Sequence, residues 1–176
     1  IQGWFQPAGK HHQQAMEEAR RKLEIAAAVG APHSVAGPPH VQTDRELGAK
    51  HYRELLELGR QFGVKPSIEY LGFVEDFTTI EDALGIMQSC GDPDATVILD
   101  PFHCFVGGGP IESIGKLNAD QIAMSHFNDA PADPPRETQR DPDRVMPGDG
   151  IVDLKLYCDM LRQVGYDRWL SLELFN

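Results

Sequence analysis

Cysteine is scarce in this chain: only Cys90, Cys104 and Cys158 occur, far apart and with no CxxC pair. An odd, scattered set excludes a disulfide framework and a cysteine-built zinc site, and makes a reducing cytoplasm the expected compartment. No run of eighteen apolar residues exists, so no membrane span is expected. Nor does Ile1–Phe5 begin a basic-then-apolar leader, although a chain that starts at Ile1 carries no natural beginning. Positive charge is also short: 16 Lys and Arg face 27 Asp and Glu, for a formal charge of −11. Such a surface repels phosphate backbones and makes nucleic acid a poor partner. It attracts cations, which suits a carboxylate-rich metal site without demonstrating one.

What is present is alternation. At 176 residues and 41% hydrophobic, the chain is long enough for one domain with a core, read here as a single unit over 1–176. Gly9–Val29 carries a helical apolar stripe through Met16, Leu23 and Ala27 and stops near Gly30. Pro32–Gly37 reads as a weak strand and loop. Thr43–Gly63 is a second helix, with Thr43 and Glu46 fitting a capping box. Pro66–Leu71 is a strand, and Thr79–Cys90 a third helix. Ala95–Asp100 is a nearly continuous apolar run ending in a carboxylate, the mark of a strand buried on both faces of a parallel sheet. A short helix at Ile111–Leu117 precedes a strand at Gln121–Phe127. Gly107-Gly108-Gly109 reads as a flexible loop, and Asn128–Gly150 as a long Pro-rich one. Asp153–Val164 is the last helix and Trp169–Leu174 the last strand.

Strands alternating with helices at this spacing predict a (β/α) barrel. Its polar residues of interest stand at the C-terminal strand ends, the active-site face of such barrels. Four strand ends present Glu69, Asp100, His126 and Glu173. Each alone has an ordinary explanation as a surface carboxylate or a hydrogen-bonded core histidine. Together they form a hard-to-borderline ligand set for one divalent ion, Mn²⁺ first, with Mg²⁺, Co²⁺ or Zn²⁺ compatible.

The segments Ser67-Ile68-Glu69, Asp100-Pro101-Phe102-His103, His126-Phe127-Asn128-Asp129, Pro147-Gly148-Asp149-Gly150 and Ser171-Leu172-Glu173-Leu174 occur in an order that resembles the xylose isomerase-like barrel superfamily. The stretch Pro66–Asn176 is similar to its sugar phosphate isomerase/epimerase branch, which includes inosose isomerases and ketose 3-epimerases. The resemblance implies that Glu69, Asp100, His126 and Glu173 bind one metal, and that Glu69 and Glu173 flank the substrate carbon and move its proton. It implies that His103, Arg144 and Glu75 contact the substrate, a small sugar or cyclitol ketone. The chemistry explains the residue types. A divalent metal stabilises the enediolate left by deprotonation next to a ketone. One carboxylate removes the proton and the other returns it.

Three alternatives stay open. Endonuclease IV enzymes share the Asp-x-x-His and His-x-Asn-Asp pattern, but their third-site histidine is replaced here by Val145, and the charge is wrong for DNA. A related branch dehydrates 3-dehydroshikimate with a similar site. Third, a (β/α)8 barrel needs about 250 residues, and only five clear strands are present, with Ile1–Phe5 as the tail of a sixth. The first two or so βα units look absent. The chain would then be an inactive binding or structural remnant, a homo-oligomer, or a subunit completed by a strand-donating partner.

Overall fold

A computed structural model describes residues 1–40 and 42–175; Asn176, the end of the stretch carrying the resemblance, lies outside them. Five strands form one sheet in sequence order: β1 (His33–Ala36), β2 (Lys65–Glu69), β3 (Thr96–Leu99), β4 (Ile122–Phe127) and β5 (Leu170–Leu172). Every neighbouring pair is parallel. Helices α1 (Lys10–Ala28), α2 (Arg45–Arg60), α3 (Ile80–Cys90), α4 (Pro101–Gly107) and α5 (Leu154–Gln163) alternate with them. The result is a five-stranded half of a (β/α) barrel. Among the described residues no helix is long and apolar enough to cross a membrane.

Local chemistry explains the boundaries. Thr79 and Asp82 make a reciprocal capping box at the start of α3, and Gly91 closes it in the left-handed conformation at φ 64°. The start of α2 differs from the expectation. Asp44, not Thr43, is the cap, accepting the Glu46 and Leu47 amides. Thr43 instead donates its amide and hydroxyl to Asp76, which also pairs with Arg45. A carboxylate two loops away competes for Thr43 and wins, because it accepts both donors. Helix α4 was not expected at all. Asp100 caps it, Pro101 fills its first turn, and Gly108 ends it at φ 73°. The glycine run thus closes a helix.

The expectation of a sixth strand is met only at its first residue. The Gly37 amide donates to the Ile1 carbonyl, and the Ile1 amino group to the Val35 carbonyl, so Ile1 flanks β1. Trp4 and Phe5 turn away and enter the core, where Trp4 Nε1 donates to the Gly37 carbonyl at 2.8 Å. At the other edge β5 has no outer strand partner among the described residues. Trp169 is 84% exposed, and Leu170, Leu172 and Phe175 are exposed beside it.

The core lies between the sheet and helices α1, α2, α3 and α5, around Leu23, Tyr52, Leu55, Ile68, Ile86, Val97, Leu99 and Tyr157. Tyr52 links helix to sheet. Its hydroxyl donates to the Pro66 carbonyl at 2.9 Å and accepts the Thr96 amide at 3.2 Å. It therefore bridges β2 and β3 below the site. Burial pushes the Tyr52 pKa well above its usual value, so it stays a neutral donor. Tyr52→Phe should leave the Thr96 amide buried and unpaired, and cost about 1–3 kcal/mol in urea unfolding.

Candidate metal centre

Side-chain alternation along the strands builds the site. Ser67 pairs with Thr96 across β2 and β3, and their hydroxyls meet at 2.8 Å. They mark the inner face. Two residues on, Glu69 shares that face, and so do Ile98 and then Asp100. Leu99 pairs with Ser125, so Asp100 comes to lie beside His126; Ser171 pairs with His126, which aims Glu173 inward two residues later. The outward alternates serve packing: Ser125 meets the Tyr157 hydroxyl on α5 at 2.7 Å.

Four side chains converge as the sequence suggested. One ligand atom from each of Glu69, Asp100, His126 and Glu173 lies within 4.8 Å of all the others. His126 Nδ1 stands 3.1 Å from Glu69 Oε1, 3.0 Å from Glu173 Oε2 and 3.5 Å from Asp100 Oδ2. Yet this buried nitrogen forms no hydrogen bond of acceptable geometry with any of them. A nitrogen encircled by carboxylate oxygens without a good bond to any one is what a shared ion's ligand looks like. Ligand atoms at these separations match metal bonds of about 2.0–2.2 Å. The donor set therefore fits a divalent cation.

Without such an ion, the imidazole must carry the positive charge. Burial opposes that, but Asp100, Glu173 and Glu69 outweigh it and push the His126 pKa up to about 11. Asp100 is fully buried. Burial alone would raise its pKa; His103 and His126, both protonated at the low pH where this carboxyl titrates, and Arg144 reverse this and hold it well below the usual range.

Asp100 divides its two oxygens. Oδ1 caps α4 through the Phe102 and His103 amides at 2.7 and 3.2 Å. Oδ2 faces the site, where Arg144 donates to it at 3.0 Å and Asn128 Nδ2 at 3.2 Å. Arg144 also lies 3.3 Å from Glu173 and pairs with Asp141. Its guanidinium stacks over the Phe102 ring at 4.6 Å and the Phe175 ring at 5.1 Å. Arg144 is thus a buried clamp on two of the three site carboxylates.

His103 is buried beside it, with Nε2 2.9 Å from Arg144 Nη2, and its Nδ1 lies 3.3 Å from the Gly72 amide. A neutral imidazole has one bare nitrogen, so the shorter Arg144 contact is the hydrogen bond. Burial lowers the His103 pKa against the pull of Asp100 and keeps the ring neutral. The structure therefore brings His103 and Arg144 to the cluster. It does not bring Glu75 there: that side chain stands exposed in the bend between β2 and α3, outside the cluster's ion pairs.

Sequence reasoning gave no role to Asn128 or Asp129, though both sit in the His126 motif. Asn128 ties Asp100 to the Phe102 amide, which donates to its Oδ1 at 3.1 Å. Asp129 accepts four backbone amides, those of Ala130, Gly148, Gly150 and Val152. That holds the Pro147–Gly150 turn against β4, and the turn begins three residues after Arg144. Gly150 has no room for a side chain, since a Cβ there would lie 2.3 Å from Asp129. The signal was an Asp followed, some twenty residues on, by a Gly-x-Gly.

The His126 pKa predicts how stability depends on pH in metal-free protein. The folded value lies above the unfolded 6.5, so the contribution is complete below pH 6.5 and is lost as pH rises toward about 11. In chelator, the stability gap between wild type and His126→Gln should shrink across that window in urea titrations. A gap constant with pH would contradict a protonated imidazole.

Among proteins of known family, the one described as the xylose isomerase-like TIM barrel matches residues 3–176. An inosose isomerase from Bacillus licheniformis is 27% identical across 95% of this chain and 62% of its own length. A 3-dehydroshikimate dehydratase from Pseudomonas putida is 28% identical across 93% of this chain but 26% of its own. The crystal structure of the IolI protein with a bound zinc atom superposes with a TM-score of 0.91 at 26% identity, over 99% of this chain and 65% of that one. The chain thus spans less than two thirds of the isomerases it matches.

Proposed function

Because the chain belongs to the xylose isomerase-like TIM barrel family, we propose that it forms the metal-binding part of an isomerase or epimerase of small polyhydroxy ketones, inososes first. The observation that carries this is the meeting of Glu69, Asp100, His126 and Glu173 around one point. The likeness to inosose isomerases supports the substrate class. The zinc in the IolI structure supports a divalent ion. Three carboxylates against one imidazole favour Mn²⁺ as the working ion. A cytoplasmic location belongs to the same proposal.

In this reading Glu69, Asp100, His126 and Glu173 hold the ion. When bound, the ion supplies Lewis-acid stabilisation of charge developing on the substrate oxygens. The chain's own groups move the proton. Glu69 and Glu173 approach from different strands, β2 and the end of β5, so they can address a carbon placed between them from two sides. One removes the proton next to the carbonyl and the other returns it. Arg144 fixes the site oxygens of Asp100 and Glu173. With His103 it forms a polar wall at which substrate oxygens find a donor. Glu75, exposed in its loop, reaches a substrate only if the β2–α3 loop folds over it.

A second reading is dehydration of 3-dehydroshikimate, favoured by the likeness to the dehydratases. It begins with the same removal of a proton beside a carbonyl and ends with loss of water, so the product separates the two.

The test is metal analysis of purified chain followed by exchange of a substrate C–H proton in deuterated water, over a panel of inososes and ketohexoses. Wild type should hold stoichiometric metal and incorporate deuterium. Glu69→Gln and Glu173→Gln should lower exchange by about a hundredfold or more, and His126→Ala should lose the ion held by this cluster. No stoichiometric ion in wild type, or unchanged metal content in His126→Ala, would refute the proposal.

A further inference from the structure

Away from the sheet, α1 and α2 bring two imidazoles and a carboxylate together on the outer wall. His12 lies in the first turn of α1; His51 and Glu54 sit three residues apart on α2, hence on one face. One ligand-capable atom from each lies within 4.8 Å of the other two. The two rings stack at 3.8 Å with 23° between their planes. His51 is 1% exposed and His12 9%, while the Glu54 side chain is 39% exposed and leaves a route from solvent.

The hydrogen bonds around these rings leave ring nitrogens for an ion. His51 Nδ1 lies 3.1 Å from the Trp4 carbonyl. A carbonyl only accepts, so Nδ1 carries the ring proton and Nε2 keeps its lone pair. Backbone carbonyls fix metal-ligating imidazoles in this way. His12 Nε2 lies 3.1 Å from Glu54 Oε2, and His12 Nδ1 is buried with no partner. A separation of 3.1 Å suits a hydrogen bond. It is also near that of two ligands sharing an ion at about 2.0–2.2 Å each.

We propose that His12, His51 and Glu54 form a second divalent-metal site, independent of the central one, which takes a borderline ion such as zinc. Two nitrogens and one oxygen favour zinc over manganese, whereas the central site is rich in oxygen. The ion would clamp α1 to α2 and to the Trp4 turn.

The difference in donors supplies the test: titrate tag-free, chelator-treated full chain with zinc and with manganese, and measure bound metal after dialysis. Wild type should retain two zinc ions per chain but only one manganese. Glu54→Gln, which keeps a hydrogen-bonding partner for His12, and His12→Gln should each retain one zinc. In a His126→Ala background, zinc should raise the melting temperature by several degrees, and adding Glu54→Gln should abolish that rise. Circular dichroism confirms that each variant is folded. One zinc in wild type and none in His126→Ala would overturn the second site and leave the central one standing. Retention of two zinc ions in both Glu54→Gln and His12→Gln would overturn it equally. One zinc that survives His126→Ala and vanishes in Glu54→Gln would support this site while refuting the central one.

Discussion

Three carboxylates at one point need a cation. Glu69, Asp100 and Glu173 crowd around His126 Nδ1 at 3.0–3.5 Å, and their mutual repulsion has to be balanced from within the site. Arg144 supplies one fixed positive charge, held against Asp100 and Glu173. His126 supplies another by taking up a proton, at a pKa of about 11. A divalent ion meets the same demand with more charge, and the ring would give up that proton to bind it. Much of the surrounding architecture serves to keep these charges together. Asn128 steadies Asp100, α4 draws on its second oxygen, and Asp129 pins the turn that follows Arg144.

The parallel sheet makes the convergence possible. Alternation puts every second side chain inward, and all five strands run the same way, so their C-terminal ends share one rim. A one-residue slip in any of β2 to β5 would send its ligand outward into the helical layer. Register is pinned from behind by polar contacts, among them Tyr52 across β2 and β3 and Tyr157 on Ser125. The outer helices are therefore part of the site's geometry. Among the described residues the sheet nevertheless remains open, with β5 presenting Trp169, Leu170 and Leu172 to solvent. Closure into a barrel requires further strands on that edge.

Much of this was legible in the sequence. The run Ala95–Leu99 announced a doubly buried strand, and the carboxylates and histidine at strand ends announced the cluster, because alternation and parallel pairing are local rules. What escaped was decided at long range. Helix α4 is seven residues, too short for a hydrophobic period, and only its Asp-Pro start and Gly108 end betrayed it. Thr43 donates instead to Asp76, thirty-three residues away, and leaves the cap of α2 to Asp44. Arg144 was expected beside substrate, but its loop fold also binds it to Asp100, Asp141 and Glu173. His12 and His51 attracted no role because the packing of α1 on α2, which no period encodes, is what stacks their rings.

Anomalous diffraction from manganese-soaked crystals tests the central claim most directly, because it locates the ion without recourse to activity. If Glu69, Asp100, His126 and Glu173 share one divalent ion, a single strong peak should lie between them, at about 2.0–2.3 Å from an atom of each. No peak there, with the His126 ring still enclosed by three carboxylates, would show a proton doing the work assigned to the metal and would contradict the account.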